Sequence, residues 1–246
     1  MIKYLLLFLL IPSIAFAAID CSGDGGDMLK HNVISSDMVN GQDWTISYWI
    51  STTYSPSSDW QTPIVTILDG SDGWGLGIDN EGEPFSWTIG NNSSDINCTP
   101  INDGVWRNIT SVFDQLGNEM RHYINGSLDC TETSYNDNSG TTNAPIRICE
   151  DGSEAVGGEL KISDVAIWSV ELTPAEIAHI GASRVKGMPL QIQADNLVAY
   201  FPLDDIPSGT SVNSQTFRDL ANDNTLTGTD GDGDTTSIGE EILSYP

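Results

Sequence analysis

From residue 43 onward the chain alternates apolar and polar positions in short runs separated by turn residues. Trp44, Ile46, Tyr48 and Ile50 alternate with Thr45, Ser47, Trp49 and Ser51, the period-two pattern of a strand with two different faces. Further strands are predicted over 64–68, 73–78, 85–89, 105–113, 120–124 and 144–149. Gly73, Gly75 and Gly77 fall on one side of their strand, which predicts close approach by another backbone or side chain. Asn125-Gly126 is the hairpin turn signal after the 120–124 strand. In the run Glu159 to Trp168, alternation places Leu160, Ile162 and Asp164 on one face and Lys161, Ser163 and Val165 on the other.

One helix stands out. Thr173 is a natural N-cap, Pro174 occupies the first helical position, and Glu176 completes a capping box, so a helix is predicted from Pro174 to about Ala182. Another strand follows from Leu197, and 222–236 is rich in Asp, Gly, Asn and Thr and reads as loop. Many strands with a single late helix predict an all-β, antiparallel two-sheet sandwich or jelly roll in preference to an α/β architecture.

The first 17 residues do not belong to this pattern. One Lys, the apolar run Leu5–Ile11 and Ala15-Phe16-Ala17 read as a secretory signal peptide, with the folded chain expected over 18–246. The run is too short to span a bilayer, which needs about 20 apolar residues, and no later segment is apolar enough to do so. The chain holds 9 Lys+Arg against 35 Asp+Glu, for a net charge of −26. Such a surface repels nucleic acid and anionic membranes and favours bound cations. Cys21, Cys98, Cys130 and Cys149 form an even set in a chain read as secreted, so two disulfides are expected. Three pairings are open. The preferred one joins Cys98 to Cys130, which flank one run of predicted strands, and leaves Cys21 with Cys149.

Four motifs, in order, resemble laminin G-like jelly rolls. They are Asp43-Trp44-Thr45-Ile46-Ser47-Tyr48-Trp49, Asp103-Gly104-Val105-Trp106, Tyr123-Ile124-Asn125-Gly126, and Ile162 to Trp168 leading into Leu172-Thr173-Pro174. They cover about Gln42 to Ala182. The resemblance is to the laminin G-like and pentraxin-like branch of the concanavalin A-like lectin and glucanase fold. It implies a binding module rather than an enzyme. It also implies that 191–246 returns along the same domain, as in pentraxins, adding a strand and an acidic loop.

Calcium is the expected inorganic partner, because hard cations take carboxylate, amide and carbonyl oxygens. The pentraxin resemblance implies a site made from Asp72, with Asp69 nearby, and Glu150-Asp151, although Gly73 stands where that family has an amide. A second candidate is Asp230, Asp232, Asp234 and Glu241, spaced as positions 1, 3, 5 and 12 of an EF-hand-type loop; Thr235 replaces the glycine such a loop needs. Asn91, Asn92, Asn97, Asn108 and Asn125 each open an Asn-x-Ser/Thr triplet and are glycosylation candidates in a eukaryotic secretory cell. Trp60 and Trp74, in or beside predicted loops, are the candidates for stacking on a sugar ring. Trp44, Trp49, Trp87, Trp106 and Trp168 lie in strands and are assigned mostly to the core.

Catalytic patterns are missing from the sequence. No Glu-x-Asp-x-x-Glu run is present, and His31, His122 and His179 are scattered. The expected role is recognition of carbohydrate or another extracellular surface ligand, a role compatible with a homo-oligomer. The alternatives are a structural or self-assembling surface protein on the same fold and a polysaccharide-active enzyme.

Overall fold

The computed structural model describes residues 16–21, 28–34, 42–53, 62–68, 73–88, 91–92, 97–133, 145–149, 160–182, 187–205, 214–222, 225–229 and 238–241. Its strands are β1 (Phe16–Asp20), β2 (Met28–Ile34), β3 (Trp44–Thr52), β4 (Thr62–Leu68), β5 (Gly73–Ile78), β6 (Pro84–Thr88), β7 (Asn91–Asn92) and β8 (Arg107–Asp114). They continue as β9 (Glu119–Ile124), β10 (Ser127–Thr133), β11 (Pro145–Ile148), β12 (Leu160–Trp168), β13 (Leu197–Phe201), β14 (Thr216–Arg218), β15 (Thr225–Thr229) and β16 (Ile238–Glu241). Helix α1 spans Pro174–Ala182. One sheet runs β10-β9-β8-β3-β12-β1-β16, with β13 also paired to β12, and the other runs β14-β15-β2-β11-β4-β5-β6-β7. The pairings are antiparallel in both, so the architecture is the sandwich that the alternating runs predict. Among the described residues, no helix is long and apolar enough to cross a membrane.

The sandwich interior is built from one face of each strand. Trp44, Ile46, Tyr48 and Ile50 of β3 join Ile109 and Phe113 of β8, Met120 of β9, Leu76 and Ile78 of β5, and Ile146 and Ile148 of β11 in one buried cluster. The opposite face of β3 is buried as well. Thr45 is covered by the chain leaving β12: its Oγ1 donates to the Val170 carbonyl at 2.9 Å and accepts from the Leu172 amide at 3.0 Å. Beside it, Asn108 and Thr110 of β8 bond to Ser47 Oγ at 2.9 and 3.0 Å. Buried hydroxyls and amides that satisfy one another in this way avoid the cost of a lost hydrogen bond.

Helix α1 packs on this outer face. Ile177 and Ile180 join Val112, Tyr123, Ala166, Trp168, Leu172, Leu197 and Tyr200 in a second apolar cluster. The capping box forms as read: Glu176 Oε2 accepts from the Thr173 amide at 2.8 Å, and the Glu176 amide donates to Thr173 Oγ1 at 3.4 Å. The helix meets the hairpin turn backbone to backbone. Gly126 has φ +81°, and a Cβ placed on Gly181 would lie 2.2 Å from the Gly126 amide nitrogen. Gly181→Ala is therefore expected to destabilise by about 1–3 kcal/mol, although helix propensity alone would favour it by about 1 kcal/mol. Urea unfolding checks the sign, and an unchanged midpoint would show that the helix lifts freely.

Two local expectations change. The alternation read through Asp164 breaks there, because Ser163 pairs with Trp49 while Ala166 pairs with Ser47. Asp164 and Val165 together oppose Tyr48 in a bulge, and Asp164 takes φ +52°. Val165 thereby joins Leu160 and Ile162 in the core. Asp164 instead accepts from Tyr200 Oη at 2.7 Å, while Tyr200 Oη accepts from the Gly187 amide at 2.9 Å. One extra residue in a strand re-aims the side chains around it. The second change is at the C-terminal segment, which adds β13 and β16 to one sheet and β14 and β15 to the other, not a single strand. At the start, β1 begins at Phe16, the second-last residue of the predicted leader. Ala18 and Ile19, beyond the expected cleavage point, are buried.

Gly77 pairs with Phe85, and Phe85 is 2% exposed on the same face. Residues paired across an antiparallel ladder share a face, so Phe85 is the side chain set beside Gly77. Trp44, Trp49, Trp106 and Trp168 are all buried. The side chain of Trp87 lies outside the described ones.

Candidate functional site

One end of the sandwich carries the β5–β6 turn, the segment 97–106 that crosses from one sheet to the other, and the β9–β10 turn. Acidic side chains build this corner by accepting from backbone. Asp79, 4% exposed, closes the β5–β6 turn with Oδ1 accepting from the Glu81 and Glu83 amides at 2.9 and 2.8 Å. Glu83 Oε2 accepts from the Cys98 amide at 2.8 Å. Asp129 accepts from Thr99 twice, from the amide at 2.6 Å and from Oγ1 at 2.8 Å. The Gly82 carbonyl accepts from the Ile101 amide at 2.8 Å. The register of β10 shifts at Asp129, which is the extra residue of a bulge.

Disulfides fix the same region. Cys98 is joined to Cys130 and Cys21 to Cys149, so the preferred pairing is the one present. The first ties the crossing segment to β10. The second ties the chain after β1 in one sheet to the chain after β11 in the other. Cys98, Asp129 and Cys130 bring one carboxylate and two sulfurs within 4.8 Å, a spacing a metal could use. Both sulfurs are consumed by the disulfide, however, so no thiolate is available to ligate.

Electrostatically the corner is one-sided. Burial pushes the Glu83 carboxyl up, and the charges of Asp79, Glu81 and Asp129 add to the effect, against the bond from Cys98. Further along the segment, Arg107 grips Asp103 with two nitrogens, at 2.5 and 2.8 Å. That pair holds the Asp103 carboxyl down to about 2.

His122 is close by in register but belongs to the interior. It pairs with Cys130 on one side and Ser111 on the other, is 0% exposed, and lies 2.8 Å from Ser111 Oγ through Nδ1. Its Nε2 has no partner among the described residues, and burial lowers its pKa from 6.5 to about 4. It is a neutral core histidine that substrate cannot reach.

The sequence-based candidates are distributed as follows. Trp60, Asp69, Asp72, Glu150, Asp151, Asp230, Asp232 and Asp234 lie outside the described residues. Trp74 is in β5 and Glu241 ends β16, with side chains that are not described. Ile148 pairs with Val65 and Ile146 with Ile67, and Leu68 pairs with Gly73. In this register Leu68, the last described residue of β4, and Cys149 lie four rungs apart, about 13 Å along the strands. Among the triplets, Asn91 and Asn92 form β7, Asn97 is exposed next to Cys98, and Asn125 is exposed in the hairpin turn. Asn108 is different: it is 0% exposed, and its amide nitrogen is committed to Ser47 and Tyr48, so this packing leaves no room for a glycan there. Glu83, Asp129 and Asp79 were not read as a group in the sequence. Only the disulfide and the crossing segment bring them together.

Comparison with known proteins comes from sequence families and from solved structures. Residues 24–178 match a laminin G family model described as the Concanavalin A-like lectin/glucanases superfamily. No curated protein matches the chain in sequence. The fold is similar to that of a candidate carbohydrate binding protein from Bacteroides ovatus, with TM-score 0.59 and 16% identity over 95% of this chain and 62% of that one. This chain thus spans less than two thirds of that protein. A heptameric SAP-like pentraxin from Limulus polyphemus is also similar, with TM-score 0.49 and 14% identity over 68% of this chain and 82% of that one.

Proposed function

The chain belongs to the concanavalin A-like lectin/glucanase superfamily, and from that premise we propose that it is a secreted, non-catalytic module that binds carbohydrate or another extracellular ligand. The observation that supports this best is the pinned corner. Asp79, Glu83 and Asp129 hold backbone amides of the loops, and a disulfide holds the same segment. Carboxylates engaged in this way preorganise a surface, and a rigid surface loses less entropy on binding. A general acid or nucleophile would instead need an oxygen facing substrate. The similarity to a candidate carbohydrate binding protein agrees with this reading. Two disulfides agree with an oxidising, extracellular setting.

A glycan array probed with the purified protein, in calcium and then in chelator, tests the proposal. Binding to a defined set of glycans without turnover is the expected result, and release of reducing sugar from any polysaccharide would overturn the non-catalytic part. Calcium dependence belongs to the same proposal through Asp72. Calorimetric titration should give smaller heats for Asp72→Ala than for the parent, whereas identical heats would remove that loop from the calcium site.

A further inference from the structure

The ligand's charge class follows from where the positive groups are. The chain has nine Lys and Arg, and five of them lie among the described side chains. Arg107 is locked on Asp103 through two nitrogens. Arg121 bridges Glu171 at 2.8 Å and Asp114 at 3.6 Å. Arg218 is bound to Asp205 through both its Nε and its amide. Arg147 and Lys161 also carry interactions within the chain. Lys3, Arg184 and Lys186 are outside the described residues, and the Lys30 side chain is not among the described ones. Of the imidazoles, His122 is sealed in the core, and His179 is exposed on α1.

Over the whole chain, nine Lys and Arg stand against 35 carboxylates. At the pinned corner, Asp79, Glu81 and Asp129 sit close enough to Glu83 for their charges to add to the burial that raises its carboxyl. Recognition of sialylated, sulfated or uronic acid sugars calls for a cation, most often an arginine fork that pairs with two oxygens of the anion. Each described arginine with a defined partner already gives its guanidinium to a carboxylate of this chain. Releasing it would leave that carboxylate uncompensated.

We propose that the recognition surface takes uncharged glycans and rejects their sialylated and sulfated forms. This rests on the binding reading above. An anionic sugar meets a field of the same sign, which lowers its local concentration and association rate, and no committed arginine is available to offset that. A neutral hexose or N-acetylhexosamine can instead use backbone amides, hydroxyls and the carboxylates themselves as acceptors.

The experiment uses an array that holds each glycan core in neutral, sialylated and sulfated form. Binding is measured at pH 8, where an ordinary histidine is uncharged, at low and high salt, with calcium and with chelator. The neutral member of each bound set should bind about tenfold more tightly at low salt, and the gap should narrow as salt screens the field. Sulfated or sialylated forms that bind equally or better, or that overtake the neutral form once calcium is present, would overturn the inference alone. If no core binds in any form, the carbohydrate part of the recognition reading falls and the inference falls with it.

Discussion

Replacing Cys21 and Cys149 together by alanine should lower the free energy of unfolding by about 5 kcal/mol, the upper end of what one disulfide contributes. The pair closes a span of 128 residues and links the two sheets. The unfolded chain therefore loses much of its freedom, while the folded chain only keeps two buried ends together. Replacing Cys98 and Cys130 opens a span of 32 residues, for which the same chain-entropy argument gives about 4 kcal/mol. Urea unfolding of both double variants under oxidising conditions checks the order. A rise in the urea m-value should accompany each loss, since the unlinked unfolded chain exposes more surface. If opening the larger span costs less than opening the smaller, the link between the sheets is not limiting and contacts across the sandwich dominate.

Acid should strip a second large amount of stability at one side chain. His122 has a folded pKa of about 4 against an ordinary 6.5 because it is fully buried. Below pH 6.5 the unfolded chain takes up a proton that the folded chain refuses. The stabilisation is therefore complete above pH 6.5 and is lost as pH falls from 6.5 to about 4. At about 1.4 kcal/mol per pH unit, the loss amounts to about 3 kcal/mol. The acids of the chain titrate in part of the same window, so the comparison must be with His122→Gln. Between pH 7 and pH 4 the parent should lose about 3 kcal/mol more than the variant. Equal losses would show that the imidazole is protonated in the fold or reached by water.

The fold was legible because its signals are local and repeated. Trp44 to Ser51 shows its period over eight positions, and Thr173, Pro174 and Glu176 mark the helix start without help from elsewhere. Asp164 was misplaced for the opposite reason. Nothing in Ser163-Asp164-Val165 announces an extra residue, since a bulge is a property of the pairing with Tyr48 rather than of one strand. The burial of Thr45, Ser47 and Thr110 was also hidden. Alternation marks two faces, but only tertiary structure shows that α1 and the chain from Trp168 cover the polar one. The site was less legible still. Asp79 and Asp129 are 50 positions apart in number and meet only through Glu83, Thr99 and the Cys98–Cys130 link. Asn108 looks like any other triplet until the pairing of β8 with β3 buries it.

The bulge at Asp129 also bears on whether copies of the chain can join into filaments. β10 is the outermost described strand of its sheet, and Leu128 is 55% exposed. A flat, apolar edge of that kind would invite a neighbouring copy to add its own strand. Here the extra residue interrupts the ladder, and both carboxylate oxygens of Asp129 are turned to Thr99. Cys130 is tethered across to Cys98, so the strand cannot straighten to accept a partner. The residues that make the corner rigid also blunt the edge, so end-to-end sheet growth through β10 is disfavoured by the covalent and hydrogen-bonded geometry that shapes the loops.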